Sequence, residues 1–78
     1  MRTLSRRKAE LALAAVRKHV RDDGPVLYEP GHEGNHWAIS WEEGHEDWIF
    51  NLEGVVWPPG VGWDRYNHFA LCIYPEEL

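Results

Sequence analysis

Cysteine is almost missing from this 78-residue chain: Cys72 stands alone, which excludes an intrachain disulfide and a stapled secreted scaffold. Apolar runs are short, and none approaches the ~18–20 residues that a membrane span needs. Basic residues almost vanish after Gly24, where Arg65 is the sole one, and no aromatic residue precedes Tyr28. Repeats, low-complexity tracts and linkers are lacking too. At this length that leaves one domain with one core.

The two halves differ sharply in charge. Residues 1–24 hold seven Lys/Arg against three Asp/Glu, a balance of +4. Residues 25–78 hold one against ten, a balance of −9, and the two sum to −5. All ten aromatic residues lie between Tyr28 and Tyr74. Each can bury ~150–250 Å², which is more than one sheet face of a small domain can hide, so some are expected at the surface. The pattern is a cationic helix attracted to an anionic, Trp-rich sheet.

The periodicity predicts a helix over about 5–23. Ser5 is a candidate N-cap, and Leu4 can fold back over Ala9 as a hydrophobic staple. Ala9, Ala12, Leu13, Val16 and Val20 form one apolar stripe, and Gly24-Pro25 supplies the stop. Arg6, Arg7 and Lys8 in the first turn and Asp22 and Asp23 in the last oppose the helix dipole, at ~0.3–1 kcal/mol per charge. Either the acidic sheet or a partner must offset that.

After Pro25 the period becomes two, with strands predicted at about 26–29, 36–42, 48–53, 61–64 and 68–74. Trp37, Ile39 and Trp41 share one face, as do Trp48, Phe50 and Leu52, and these two strands read as an antiparallel hairpin. Phe69, Leu71 and Ile73 share a face of the last strand. The expected fold is α+β, one N-terminal helix packed on a four- to five-stranded antiparallel sheet.

Candidate chemistry is sparse. His32-Glu33-Gly34-Asn35-His36 matches the H-E-x-x-H spacing of zinc peptidases, which requires both imidazoles one helical turn apart. Pro30-Gly31 before it and Gly34-Asn35 within it predict a polar turn instead, so a metal-dependent hydrolase ranks last among the readings. Cys72 sits mid-strand among apolar neighbours, where a thiol is a small hydrophobe of raised pKa. His68 lies ~13 Å along the same strand, too far to pair with it. Glu42, Glu43, Glu46 and Asp47 read as a solvated acidic turn. A non-enzymatic protein without metal or cofactor is expected.

The candidate protein-binding residues are Trp57, Trp63, Arg65 and Tyr66, in a segment stiffened by Pro58-Pro59-Gly60. These residue types are enriched at binding hot spots, and stiffness lowers the cost of ordering. Closure of the small core by Trp57 and Trp63 is the equal alternative. Leu4, Arg7, Leu11 and Lys18 mark a second candidate surface on the helix. Leu4 and Leu11, or an edge strand, would also serve a homodimer. Arg6, Arg7, Lys8, Arg17, Lys18 and Arg21 would serve a nucleic-acid binder, but overall acidity and aromatics interleaved with acids weigh against it. An acidic mimic of DNA is a further alternative. The Ser5-Arg6-Arg7-Lys8 run before Leu11–Val16 has the form of an export signal, yet its apolar stretch falls short of the ~7–15 residues of a signal core. A cytoplasmic location is expected.

Residues 36–53 (His-Trp-Ala-Ile-Ser-Trp-Glu-Glu-Gly, then Asp-Trp-Ile-Phe-Asn-Leu-Glu), a Pro-Gly-Val loop and Asn67-His68-Phe69-Ala70-Leu71-Cys72-Ile73-Tyr74-Pro75 follow a familiar pattern. Over roughly residues 10–75 the chain resembles small uncharacterised proteins of bacteriophages that infect actinobacteria. The likeness rests on aromatic placement and the closing strand. It implies an accessory protein in the host cytoplasm that binds a host protein, and it brings no catalytic residues.

Overall fold

The computed structural model describes residues 3–31, 35–42, 44–45 and 52–76. One helix, α1 (Arg6–Val20), is followed by four strands: β1 (Val26–Tyr28), β2 (Trp37–Ser40), β3 (Val61–Asn67) and β4 (Ala70–Pro75). The strands form one antiparallel sheet in the order β1-β2-β4-β3, with α1 packed on one face. The expected fold class is the observed one.

Ser5 caps the helix: its backbone is extended, and its hydroxyl accepts a hydrogen bond from the Lys8 amide at 3.2 Å. The end comes three residues before the expected boundary. Arg21 adopts the left-handed conformation, and its amide bonds back to the Arg17 carbonyl. Asp22 then accepts from the Gly24 amide at 2.7 Å, turning the chain toward β1. The last turn therefore carries Arg17, Lys18 and His19, which suit the dipole, and the two aspartates lie beyond it. The expected conflict at this end is absent because Asp22 prefers a local turn to a place in the helix.

At the other end the first-turn cations face their own chain. Arg6 pairs with Glu29 and sits 5.2 Å from the centre of the Trp37 ring. Lys8 donates to the Pro59 carbonyl at 2.8 Å, while in the last turn Arg17 donates to the Pro25 carbonyl at 3.0 Å. At the first turn a carbonyl oxygen and a carboxylate thus offset the adverse dipole.

Alternation along β2 and β4 builds the core. Trp37 faces Ile73 and Ile39 faces Leu71 in register, and all four are buried against Ala9, Ala12 and Val16 of α1. Small side chains on the helix let it lie close to the large ones on the sheet. Trp41, Leu52, Val55 and Val61 complete the cluster. Leu4 belongs to it as well, at 7% exposure, and its carbonyl accepts from the Trp37 indole at 2.7 Å. That removes Leu4 from the second surface proposed from sequence and from any two-fold contact with Leu11. The staple drives it inward.

Two strand expectations change. Over Trp37–Ser40, β2 is bonded to β1 on one side and to β4 on the other, leaving no edge for the predicted 36–42/48–53 hairpin. Residues 48–51 of that strand lie outside the described residues, and Leu52–Gly54 form a short 3-10 turn. Strand β3 runs past the expected Asp64 to Asn67, with a bulge between Arg65 and Asn67. Asn67 accepts from the Phe69 amide at 2.7 Å, which closes a tight turn into β4.

Candidate functional site

The residues that α1 does not cover define the site. Ala38 faces Cys72 and Ser40 faces Ala70 across β2 and β4, so a block of four small side chains forms the centre of the outer sheet face. Tyr28 on β1 is in register with Ala38, and Tyr66 sits at the bulge of β3. These two stand on opposite margins of the block, both exposed, with Tyr66 at 55%. His36, Asn35 and Glu29 lie at one end, and Trp41, Phe69 and Asn67 at the other. Together they bound an open hollow of about 360 Å³, within the ~300–1,000 Å³ of ligand sites. Val26 adds a further exposed apolar side chain to this face.

A crosspiece borders the hollow. The Tyr74 ring lies over Gly62, where an added Cβ would come within 2.6 Å of Cε1. Its hydroxyl donates to the Trp63 carbonyl at 3.2 Å. The His36 ring packs on Tyr74 at 5.5 Å, and its Nδ1 is buried without a hydrogen-bond partner among the described residues. Gly62 is there because only a residue without a side chain admits the tyrosine.

The described charged side chains of this face are acidic, and one of them, Glu29, is paired with Arg6 of α1. Among the described residues that line the hollow, the charged group is Glu29, and Asp64 stands next to it in register with Cys72. Burial pushes the Cys72 thiol above its ordinary pKa, and the Asp64 carboxylate adds to the effect. Burial does the same to the Tyr74 phenol, again helped by Asp64. A thiol held protonated is a poor nucleophile.

The structure divides the residues expected to bind together. Val61–Asn67 is a strand, so alternation separates side chains that a loop would have grouped. The Trp57 and Trp63 rings stack at 6.0 Å and 28°, half-buried against the core cluster on the helix side. Tyr66 points to the opposite face and lines the hollow. Arg65 is exposed, at a register position opposite Leu71 on the helix side. Arg7, Leu11 and Lys18 are exposed on α1, as expected.

Of the H-E-x-x-H match, His32, Glu33 and Gly34 lie outside the described residues, and His36 packs on Tyr74. Among the described residues no group of three His, Cys, Asp or Glu is placed to hold a metal. None of their helices is long and apolar enough to cross a membrane. Tyr28, Val26 and the Ala38/Ser40/Ala70/Cys72 block were missed as a site. Their signal was present in the alternation: the second face of both central strands carries small, uncharged side chains where water would favour charged ones.

Fold and site together define an α+β domain in which, among the described residues, α1 covers one face of the sheet and no element covers the other. Comparison with protein-family models, curated proteins and solved structures finds no match to this chain.

Proposed function

We propose that this chain is a non-catalytic binding module that takes a partner protein on the outer face of its sheet. The resemblance to phage proteins makes the partner a host protein and the location the host cytoplasm. The observation that carries this reading is the open outer face, where Val26, Tyr28 and Tyr66 stand exposed beside a floor of Ala38, Ser40, Ala70 and Cys72. Exposed aromatics beside a concave apolar floor are the anchors and pockets of protein interfaces. The raised Cys72 pKa gives a catalytic thiol no support.

The test is capture from an actinobacterial host lysate with the wild-type chain and with the Tyr28→Ala/Tyr66→Ala variant. A partner retained by the first and lost by the second is expected. A partner that ignores both tyrosines, but is lost on Trp57→Ala, would move the interface to the stacked indoles.

Nucleic acid on α1 is the second reading, favoured by the exposed Arg7, Lys18 and Arg21. It is weakened because Arg6, Lys8 and Arg17 are each engaged within the chain. It predicts steeply salt-dependent binding that falls when Arg7 and Lys18 become Ala. Salt-insensitive or absent binding removes it.

A further inference from the structure

The chemistry of the partner follows from three features of the open face. We propose that the face receives a basic amphipathic α-helix, with large apolar side chains on the docked stripe and Lys or Arg on its flanks. This rests on the binding-module reading and adds the nature of the partner.

The first feature is volume. On the covered face the sheet supplies large side chains (Trp37, Ile39, Leu71, Ile73) and α1 supplies small ones (Ala9, Ala12, Val16). The outer face reverses this: the sheet supplies Ala38, Ser40, Ala70 and Cys72, and a hollow remains above them. Close packing then requires the occupant to bring the large side chains.

The second is width. Tyr28 and Tyr66 belong to the two outermost strands, β1 and β3. Three interstrand steps separate those strands by about 14 Å. A helix with its side chains is about 10–12 Å across and fits between the two tyrosines.

The third is charge. Of the acids of the face, Glu29 is paired with Arg6 of α1, Asp64 stands beside the hollow in register with Cys72, and no Lys or Arg is among the described residues lining it. Among the described residues no cation of α1 lines the hollow, Arg6 alone reaching its margin through Glu29, and residues 25–78 carry a balance of −9. A cationic occupant is steered toward such a surface and an anionic one is repelled. The molecule already holds one basic, alanine-rich helix against this sheet, with Arg6 reaching Glu29 at the sheet margin. The partner would repeat that arrangement from the other side.

The experiment uses two peptides of about 18 residues with one leucine stripe at helical spacing. One carries lysine on its flanks and the other glutamate. Each is titrated into the isotope-labelled chain while amide shifts are followed by NMR. The lysine peptide is expected to move the amides of Tyr28, Ala38, Ser40, Tyr66, Ala70 and Cys72, and to bind about tenfold or more tighter than the glutamate peptide. Added salt should narrow that gap. Tyr28→Ala/Tyr66→Ala should weaken binding about tenfold, with circular dichroism confirming an unchanged fold. Ser40→Lys, which sets a like charge on the floor, should weaken it further.

Equal binding of both peptides at this face would overturn the basic helix while leaving the binding module intact. Shifts confined to α1 or to Trp57 and Trp63, or no response to either peptide, would overturn it together with the choice of face. Concentration-dependent self-association that broadens these same amides would make the occupant a second copy and refute the proposal.

Discussion

Replacing Trp37 with Phe tests the joint on which the packing of helix and sheet depends. The substitution keeps a buried aromatic ring but deletes the indole N–H that donates to the Leu4 carbonyl at 2.7 Å. A buried acceptor left unpaired costs about 1–3 kcal/mol. The smaller ring gives up roughly 40 Å² of buried apolar surface, worth about 1 kcal/mol. The Arg6 guanidinium over the ring loses part of a contact of about 0.5–1 kcal/mol. The sum is about 2–5 kcal/mol, against the ~4–12 kcal/mol expected for a domain of this length. Urea unfolding, followed by circular dichroism and by fluorescence of the remaining tryptophans, would measure it. Ile39→Val, on the same face of β2, is the calibrator at about 0.5–1.5 kcal/mol. If Trp37→Phe costs no more than Ile39→Val at an unchanged m-value, the N-terminal anchor is not a structural joint and the reasoning fails.

Arg21 holds a left-handed conformation at φ 59°, which costs an L-residue about 1–2 kcal/mol. Arg21→Gly should stabilise by about 0.5–1 kcal/mol after the entropy of the glycine is deducted, whereas Arg21→Ala should not; equal urea midpoints for the two variants would refute the backbone argument. Gly62→Ala should destabilise by about 1–3 kcal/mol, because the new methyl meets Tyr74 Cε1 at 2.6 Å. The loss should shrink in a Tyr74→Leu background, and a double-mutant cycle showing simple additivity would disprove the clash. Cys72 adds a pH dependence. Its folded pKa is raised, so its contribution is complete below the ordinary thiol value of about 8.5 and is lost as pH rises from there toward the folded value. Cys72→Ala should flatten the decline in stability between that value and the onset of tyrosine ionisation, and parallel curves for variant and wild type would contradict it.

Much of the fold was legible because single strong signals governed it. Ser5 and the Ala9/Ala12/Val16 stripe placed α1, and alternation at Trp37–Trp41 and Phe69–Ile73 placed the two central strands. The helix end misled because Gly24-Pro25 outweighed Asp22, whose side chain bonds two residues ahead and stops the helix early. The pairing of β2 was illegible for another reason. Neighbours in sequence usually pair, as β1 and β2 do, but the second partner of β2 is β4, and no local pattern announces a contact some thirty residues distant. The site was half legible: Tyr66 was found, but with the strand ended at Asp64 it was grouped with Trp57 and Trp63. Once β3 runs on to Asn67, period two sends Trp63 to the helix side and Tyr66 to the open side. The small floor drew no notice because sequence reading looks for reactive or bulky residues, and this site is made by their omission.

The strand order has a bearing on biosynthesis. Because β4 sits between β2 and β3, the segment translated last of the four is the one both others require. Until it leaves the ribosome, β1 and β2 are the only described strands that can pair, and an isolated two-stranded ribbon is at best marginal in water. Nascent chains halted before Ala70 should thus be substrates for proteases and chaperones, and acquisition of structure should be a single late event.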